Sequence, residues 1–217
     1  MKRRNKFLAD ESSCPADGKP RCQWLGKTNL SGIDREAMIA YHDNEWCPVS
    51  APDDNRYLFE MLTLSGSQAG LSWSTVLKKR ESYRKAYDCW SVESIAKYSD
   101  GKVQELLHTD SGIIRNKKKI MASIGNAKSF ISLCENESFL SFLQRWLPEG
   151  PLTYEGEPPV RSAISEAISK ELIAKGFKFV GPVIIQAFLL SIGLIKGHDE
   201  SCHLHHRKRT KTEDSDK

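Results

Sequence analysis

Gly176-Phe177-Lys178-Phe179-Val180-Gly181 is a short run bounded by glycines and followed at once by Pro182. Upstream, residues 163–175 repeat apolar side chains at helical spacing and close on Lys170 and Lys175. Downstream, Pro182 suits the first turn of a new helix, where its missing N–H costs nothing. The whole reads as helix, hairpin turn, helix. Backbone N–H groups in such a turn, with the N-terminus of the next helix, can hold a phosphate oxygen without reading base sequence. Lys175 and Lys178 add charge there. An ordinary interhelical turn with Phe177, Phe179 and Val180 in the core fits the same residues. A second glycine turn, Gly112-Ile113-Ile114-Arg115-Asn116, opens on Lys117, Lys118 and Lys119 and supplies further local charge.

Working outward, the pattern is helical throughout. Asp53 and Asp54 stand where an N-cap belongs, ahead of Tyr57, Leu58, Met61, Leu62 and Leu64. Ser72 caps a helix expected over 73–87, with Lys78, Lys79, Arg80, Arg84 and Lys85 forming one basic face. Further helices are expected over 92–98, 103–108, 117–134, 139–146 and 182–192; no strand pattern stands out, and the fold class is all-α. The breaker-rich stretch 148–159 reads as a surface loop within one unit. The expected organisation is a basic disordered tail over 1–20, one helical domain over 21–204 and a charged disordered tail over 205–217.

The charge balance supports a local reading of function. The 217 residues carry a formal net charge of +4, but residues 1–11 and 207–217 hold nine of 32 basic and five of 28 acidic side chains, leaving the body neutral. Binding to nucleic acid must therefore rest on a local patch. No apolar run approaches the roughly 20 residues of a membrane span, and the N-terminus lacks a signal-type apolar stretch. A reducing interior is expected, cytoplasmic or, in a nucleated cell, nuclear.

The six cysteines, Cys14, Cys22, Cys47, Cys89, Cys134 and Cys202, show no close pairing. His198 and Cys202, four residues apart, would share a helix face, and Cys22 and His42 would complete a Cys2His2 set suited to tetrahedral zinc with no open position. Buried structural histidines and cysteines are the competing reading, and His203, His205 and His206 offer an adventitious metal site. Trp24, Tyr41, Trp46 and Trp73 cluster in the first half; aromatics are ordinary core residues, but as a group they are also suitable walls for a nucleobase, each stack contributing about 1–3 kcal/mol.

Tyr41-His42-Asp43-Asn44-Glu45-Trp46, Gln68-Ala69-Gly70-Leu71-Ser72-Trp73 with Thr75-Val76-Leu77-Lys78-Lys79-Arg80, Gly112-Ile113-Ile114-Arg115 and the 176–181 hairpin together resemble the 3-methyladenine DNA glycosylase I family. The resemblance runs from about Arg21 to Cys202. It implies a helix-hairpin-helix DNA glycosylase fold in which a structural zinc ion, on Cys22, His42, His198 and Cys202, joins the N- and C-terminal segments. It implies base excision repair: hydrolysis of the N-glycosidic bond of N3-methyladenine in double-stranded DNA. No lysine stands at an obvious nucleophile position, so the enzyme is expected to be monofunctional, and a monomer is expected. It places Trp24, Met38, Tyr41, Trp46 and Trp73 at the base, and Gly70, Leu71, Arg115, Lys117, Lys178, Val180 and Gly181 at the DNA.

Three positions depart from the family pattern. Ser65 stands where a glutamate is expected against the lesion, Met38 where a tyrosine is common, and Cys47 where a glycine usually follows the tryptophan. Glu60, about 140° around the helix from Ser65 at 3.6 residues per turn, is expected to face elsewhere. Asp199 lies near the place of a catalytic aspartate in some helix-hairpin-helix glycosylases, but between two expected metal ligands. Two readings follow: an alkylbase glycosylase with weakened or altered specificity, or a zinc-stabilised lesion-sensing or DNA-binding homologue that has lost excision. An unrelated zinc-stabilised module that binds proteins is disfavoured by the motif density.

Overall fold

A computed structural model describes residues 17–26, 32–154 and 157–205. Of the tails expected over 1–20 and 205–217, residues 1–16 with Cys14 and 206–217 lie outside the described residues, as does Gly156, whereas 17–20 and His205 are described. Eleven α-helices are described: α1 Gln23–Gly26, α2 Ile33–Asn44, α3 Asn55–Ser67, α4 Trp73–Leu77, α5 Arg80–Ala86, α6 Val92–Ala96, α7 Asp100–Leu107, α8 Lys117–Cys134, α9 Phe139–Gln144, α10 Ala163–Ala174 and α11 Pro182–Ser191. Among the described residues no strand forms, only one parallel bridge between Leu152 and Ile195. That bridge ties the 148–159 stretch to the segment after α11 through Leu152 N–H to Leu194 O (3.0 Å) and Lys196 N–H to Leu152 O (2.8 Å).

Local signals set most helix starts. Asp54 caps α3, its carboxylate accepting from Arg56 and Tyr57 N–H; Ser72, Asn116 and Ser162 cap α4, α8 and α10 through their side chains. Such caps satisfy backbone donors that have no partner within the helix. Pro182 stands at the start of α11, which follows Gly181 without a side-chain cap. The central α3 is buried from Leu58 to Ser67, and it packs on α8, α9 and α11. One apolar cluster runs from Tyr41 through Leu58, Phe130 and Phe188 to Ile195. Among the described residues no helix is long and apolar enough to cross a membrane.

The helix expected over 73–87 is two helices. The chain leaves helical pairing at Lys78 and Lys79, and α5 starts afresh at Arg80. The break lets α5 bury Tyr83 while Arg80 reaches inward, its Nε to Glu60 and its Nη1 to Glu45, each at 2.5 Å. The expected basic face is thereby reduced: Lys78, Arg84 and Lys85 stay exposed, while Lys79 and Arg80 are drawn inward. Lys78 pairs with Asp34, Lys79 Nζ donates to Gly112 O at 2.8 Å, and Arg84 pairs with Glu81. Helix α2, which carries Met38, Tyr41 and His42, is an addition to the helices expected from periodicity; its mixed surface of Asp34, Arg35 and Glu36 beside alanines obscures a clean apolar stripe.

Candidate active site and metal centre

The hairpin is braced from two sides. Gly176 adopts φ +93°, a left-handed conformation that glycine takes freely. Asn126 in α8 donates its amide to Lys178 O (2.9 Å) and accepts from Lys178 N–H (2.7 Å), fixing the turn's backbone. From α3, Gly66 allows contact: a Cβ there would meet Phe179 O at 3.0 Å and Phe179 Cβ at 3.3 Å. Phe177 and Val180 are buried and Lys178 is exposed, so the turn is both a core element and a charged surface.

Helix α11, which leaves the hairpin, and α3, whose Gly66 meets it, both border a cavity of about 180 Å³. Trp24, Tyr41, Trp46 and Trp73 wall it, and α3 contributes Ser65. Tyr41 and Trp73 lie 5.2 Å apart between ring centroids, tilted, while Trp24 and Trp46 meet edge-on at 5.1 Å. Four residues the sequence reading had not assigned complete the lining: Gln68, just past α3, and Ala187, Leu190 and Ser191 of α11. The continuous apolar run of α11 concealed that one of its faces opens on a cavity. Met38 is buried in α2 but does not line this cavity.

Among the described residues no charged side chain lines the cavity. The Tyr41 phenol is fully buried, and burial pushes its pKa far up, so it is a neutral hydroxyl and a poor acid. The Trp24 and Trp73 indole N–H groups are buried without an acceptor in the protein. The nearby carboxylates are spoken for. Glu60 and Glu45 hold Arg80, Asp43 holds Arg21 and the His42 ring, and Asp199 Oδ2 accepts from Gln23 N–H at 2.5 Å. Asp199 therefore fastens the N-terminal segment and does not line the cavity.

Behind Trp24 and Trp46 stand Cys22, His42, His198 and Cys202, whose ligand atoms all lie within 4.8 Å of one another. Cys22 Sγ is 3.4 Å from His198 Nδ1, and Cys202 Sγ is 3.6 Å from both His198 Nδ1 and His42 Nε2. These four residues could hold a metal ion, and they draw together segments 176 residues apart in the chain. His42 presents Nε2 because Nδ1 is engaged by Asp43 at 2.8 Å, and Arg21 in turn fixes Asp43. Backbone N–H groups of Asp199 and Leu204 point at the two sulfurs. Burial pushes the Cys22 thiol well up and lowers both histidines, His198 to about 4. A cation in the cluster would displace the thiol protons and bind the already neutral rings. His42 stacks on Trp46 at 5.7 Å, and His198 meets Trp46 edge-on at 4.9 Å. The cluster thus backs the cavity wall directly. Neither His203 nor His205 joins it; His203 Nδ1 faces Pro20 O and His205 Nδ1 faces His198 O.

Cys47 adopts φ +53°, a left-handed conformation costly for a side chain with a Cβ, which accounts for the glycine expected there. Its Sγ accepts from Gly197 N–H at 3.3 Å. Of the expected surface residues, Arg115, Lys117 and Lys178 are exposed, as are Gly70 and Leu71 in the turn between α3 and α4, whereas Val180 is buried and Gly181 part-buried. Lys119 turns inward, its Nζ donating to Ser67 O (2.7 Å) and Ala69 O (2.8 Å).

Comparison with known proteins places this geometry. The profile of the methyladenine glycosylase family matches residues 32–206. DNA-3-methyladenine glycosylase 1 of Escherichia coli is 40% identical over 188 residues, covering 84% of this chain and 95% of that protein. The Haemophilus influenzae DNA-3-methyladenine glycosylase is 36% identical over the same length, with 84% and 96% covered. A crystal structure of 3-methyladenine DNA glycosylase I superposes with a TM-score of 0.76 at 38% identity, covering 86% of this chain and all of that one. The Staphylococcus aureus enzyme gives 0.73 at 29% identity, with 80% and 92% covered. A match of this extent, over a chain whose helices and cavity are built as described, means that the protein belongs to the methyladenine glycosylase family.

Proposed function

We propose that this chain is a monofunctional DNA glycosylase of base excision repair that hydrolyses the N-glycosidic bond of N3-methyladenine in alkylated double-stranded DNA. The observation that carries the reading is the small aromatic cavity, walled by Trp24 of α1, Tyr41 of α2, Trp73 of α4 and Trp46, and completed by residues of α3 and α11, both of which also meet the hairpin. The hairpin serves as a grip on the phosphate backbone, with Lys178, Val180 and Gly181 at the turn and Arg115 and Lys117 beside it; Leu71 and Gly70 approach the gap left by the flipped nucleotide. Trp24, Tyr41, Trp46 and Trp73 hold the base by stacking, which offsets the few kcal/mol of unstacking. The residues that line the cavity come from one chain, which supports a monomeric enzyme.

The lining dictates what can be excised. Among the described residues no acid lines the cavity to protonate a leaving base, which favours bases that leave unaided. Methylation at N3 makes adenine cationic. As the bond to C1′ breaks, the electron pair goes to the base and cancels its charge; water adds to C1′ and gives up a proton, leaving an abasic site. Among the described residues no lysine lines the cavity to form a covalent intermediate, which accords with simple hydrolysis. The four-ligand cluster is a structural zinc clasp. Zn–S near 2.3 Å and Zn–N near 2.0–2.1 Å in a tetrahedron require S···N separations of about 3.5 Å, and three of the cluster's four S···N pairs stand at 3.4 to 3.6 Å.

Incubation with methylated DNA tests the reading: release of N3-methyladenine is expected, and none at high enzyme concentration would overturn it. Ser65 favours one second reading, a lesion sensor without excision, because the cavity then binds a cationic base with no opposite charge. Salt-dependent binding to damaged duplex without base release would select that alternative.

A further inference from the structure

Two lysines from the basic motifs point inward, and they cross. Lys119, in the first turn of α8, donates to the carbonyls of Ser67 and Ala69 at 2.7 and 2.8 Å. Ser67 closes α3, and a cation is favoured at that negative end of a helix; at the start of its own helix the same charge is disfavoured. Lys79, just past α4, reaches the other way, to the carbonyl of Gly112 in the turn that precedes α8. Each turn is strapped by a lysine from the segment following the other. Within the first turn stand Gln68, which lines the cavity, and Leu71, 41% exposed and tied back by its N–H to Gln68 O at 2.7 Å.

We propose that Lys119 is a positioning residue for base extrusion: by clamping the backbone on both sides of Gln68 it holds the 67–71 turn so that Leu71 enters the duplex in register with the cavity. The inference rests on the glycosylase reading above. Its physical basis is that a misplaced side chain loses the rate advantage of a prepaid orientation, and three free donors on one ammonium can satisfy two carbonyls at once.

Lys119→Met keeps the apolar stem and removes the donors; Lys119→Arg restores charge and donors. Three readouts separate the roles: fluorescence of 2-aminopurine placed beside an abasic-site analogue in duplex DNA, single-turnover release of N3-methyladenine, and affinity for free 3-methyladenine. Lys119→Met is expected to lose on the order of tenfold or more in release rate, with a matching loss of the 2-aminopurine signal, while free-base affinity stays at the wild-type level and Lys119→Arg recovers most of both. Lys79→Met, which loosens the opposite strap, is expected to shift the same two readouts in the same direction and serves if Lys119→Met does not fold. Wild-type signal and release in both methionine variants would overturn the inference, as would a proportional fall in all three readouts, which marks a merely structural lysine. A wild-type protein giving neither signal nor release would instead defeat the glycosylase reading itself.

Discussion

Replacing Ser65 by glutamate puts a charge into a cavity that has none. Ser65 is 4% exposed, its neighbours in the lining are aromatic, aliphatic or neutral polar, and Arg80 is already paired with Glu60 and Glu45 at 2.5 Å each. A carboxylate at 65 would thus be unpaired in the empty protein, and its pKa would rise. Unfolded glutamate titrates near 4.3, so the variant's penalty is smallest below about pH 4 and grows as pH climbs through the raised folded value. A shift of about three units would cost about 4 kcal/mol at neutral pH, tolerable within a typical stability of about 5–15 kcal/mol. The cationic base supplies the missing partner. A hydrogen bond to a charged group contributes about 1.5–3 kcal/mol, so kcat/KM for N3-methyladenine release should rise about 10- to 150-fold. The assay is base release from methylated duplex DNA by wild type, Ser65→Glu and Ser65→Gln, with melting curves at pH 5 and 8. Glutamine offers similar shape without charge and should give a smaller gain. Equal activity of the two variants, or no gain from glutamate in a folded protein, would refute the argument that the cavity lacks a counter-charge.

Further consequences can be measured separately. Chelation of metal, or Cys202→Ser, should lower the melting temperature and change tryptophan fluorescence, because His42 and His198 pack on Trp46; an unchanged spectrum would count against the clasp as the support of the cavity wall. Lowered folded-state histidine values mean that the unfolded chain binds more protons, so metal-free protein should lose stability as pH falls from the usual 6.5 through about 4 at His198; flat melting temperatures over that window would contradict it. Cys47→Gly relieves a left-handed residue by about 1–2 kcal/mol but gives up a buried thiol, whereas Cys47→Ala keeps the strain; glycine should melt above alanine in calorimetry. Asn126→Ala strands both Lys178 backbone groups and should cost about 2–3 kcal/mol with weaker duplex binding in titrations; wild-type affinity would show that the hairpin needs no brace.

Much of this protein is legible from neighbours in the chain. Asp54, Ser72 and Pro182 mark helix starts because a cap or a fixed φ acts within one turn. His198 and Cys202 do meet, but in a run of turns and not on the helix face their spacing suggests, and the motif resemblance supplies Cys22, His42 and the wall of Trp24, Tyr41, Trp46 and Trp73, which the fold brings together. What sequence spacing could not reveal is where long flexible cations end. Lys78, Lys79, Arg80 and Lys119 all read as surface charge, yet Lys79, Arg80 and Lys119 reach partners 20 to 52 residues away, and Lys78 pairs with Asp34. Asn126, Gln68 and Ser191 carry no periodic signal at all; they matter because α8, α3 and α11 converge.

By itself, then, the sequence determined an all-helical chain, its capped helix starts, its neutral body and the residue types of cavity and clasp, since each follows from propensity, spacing or motif. Which charges face solvent, where the 73–87 helix breaks, and that the Cys22/His42/His198/Cys202 cluster backs the cavity wall came from the tertiary fold alone, because those depend on which distant elements meet and satisfy one another's polar groups.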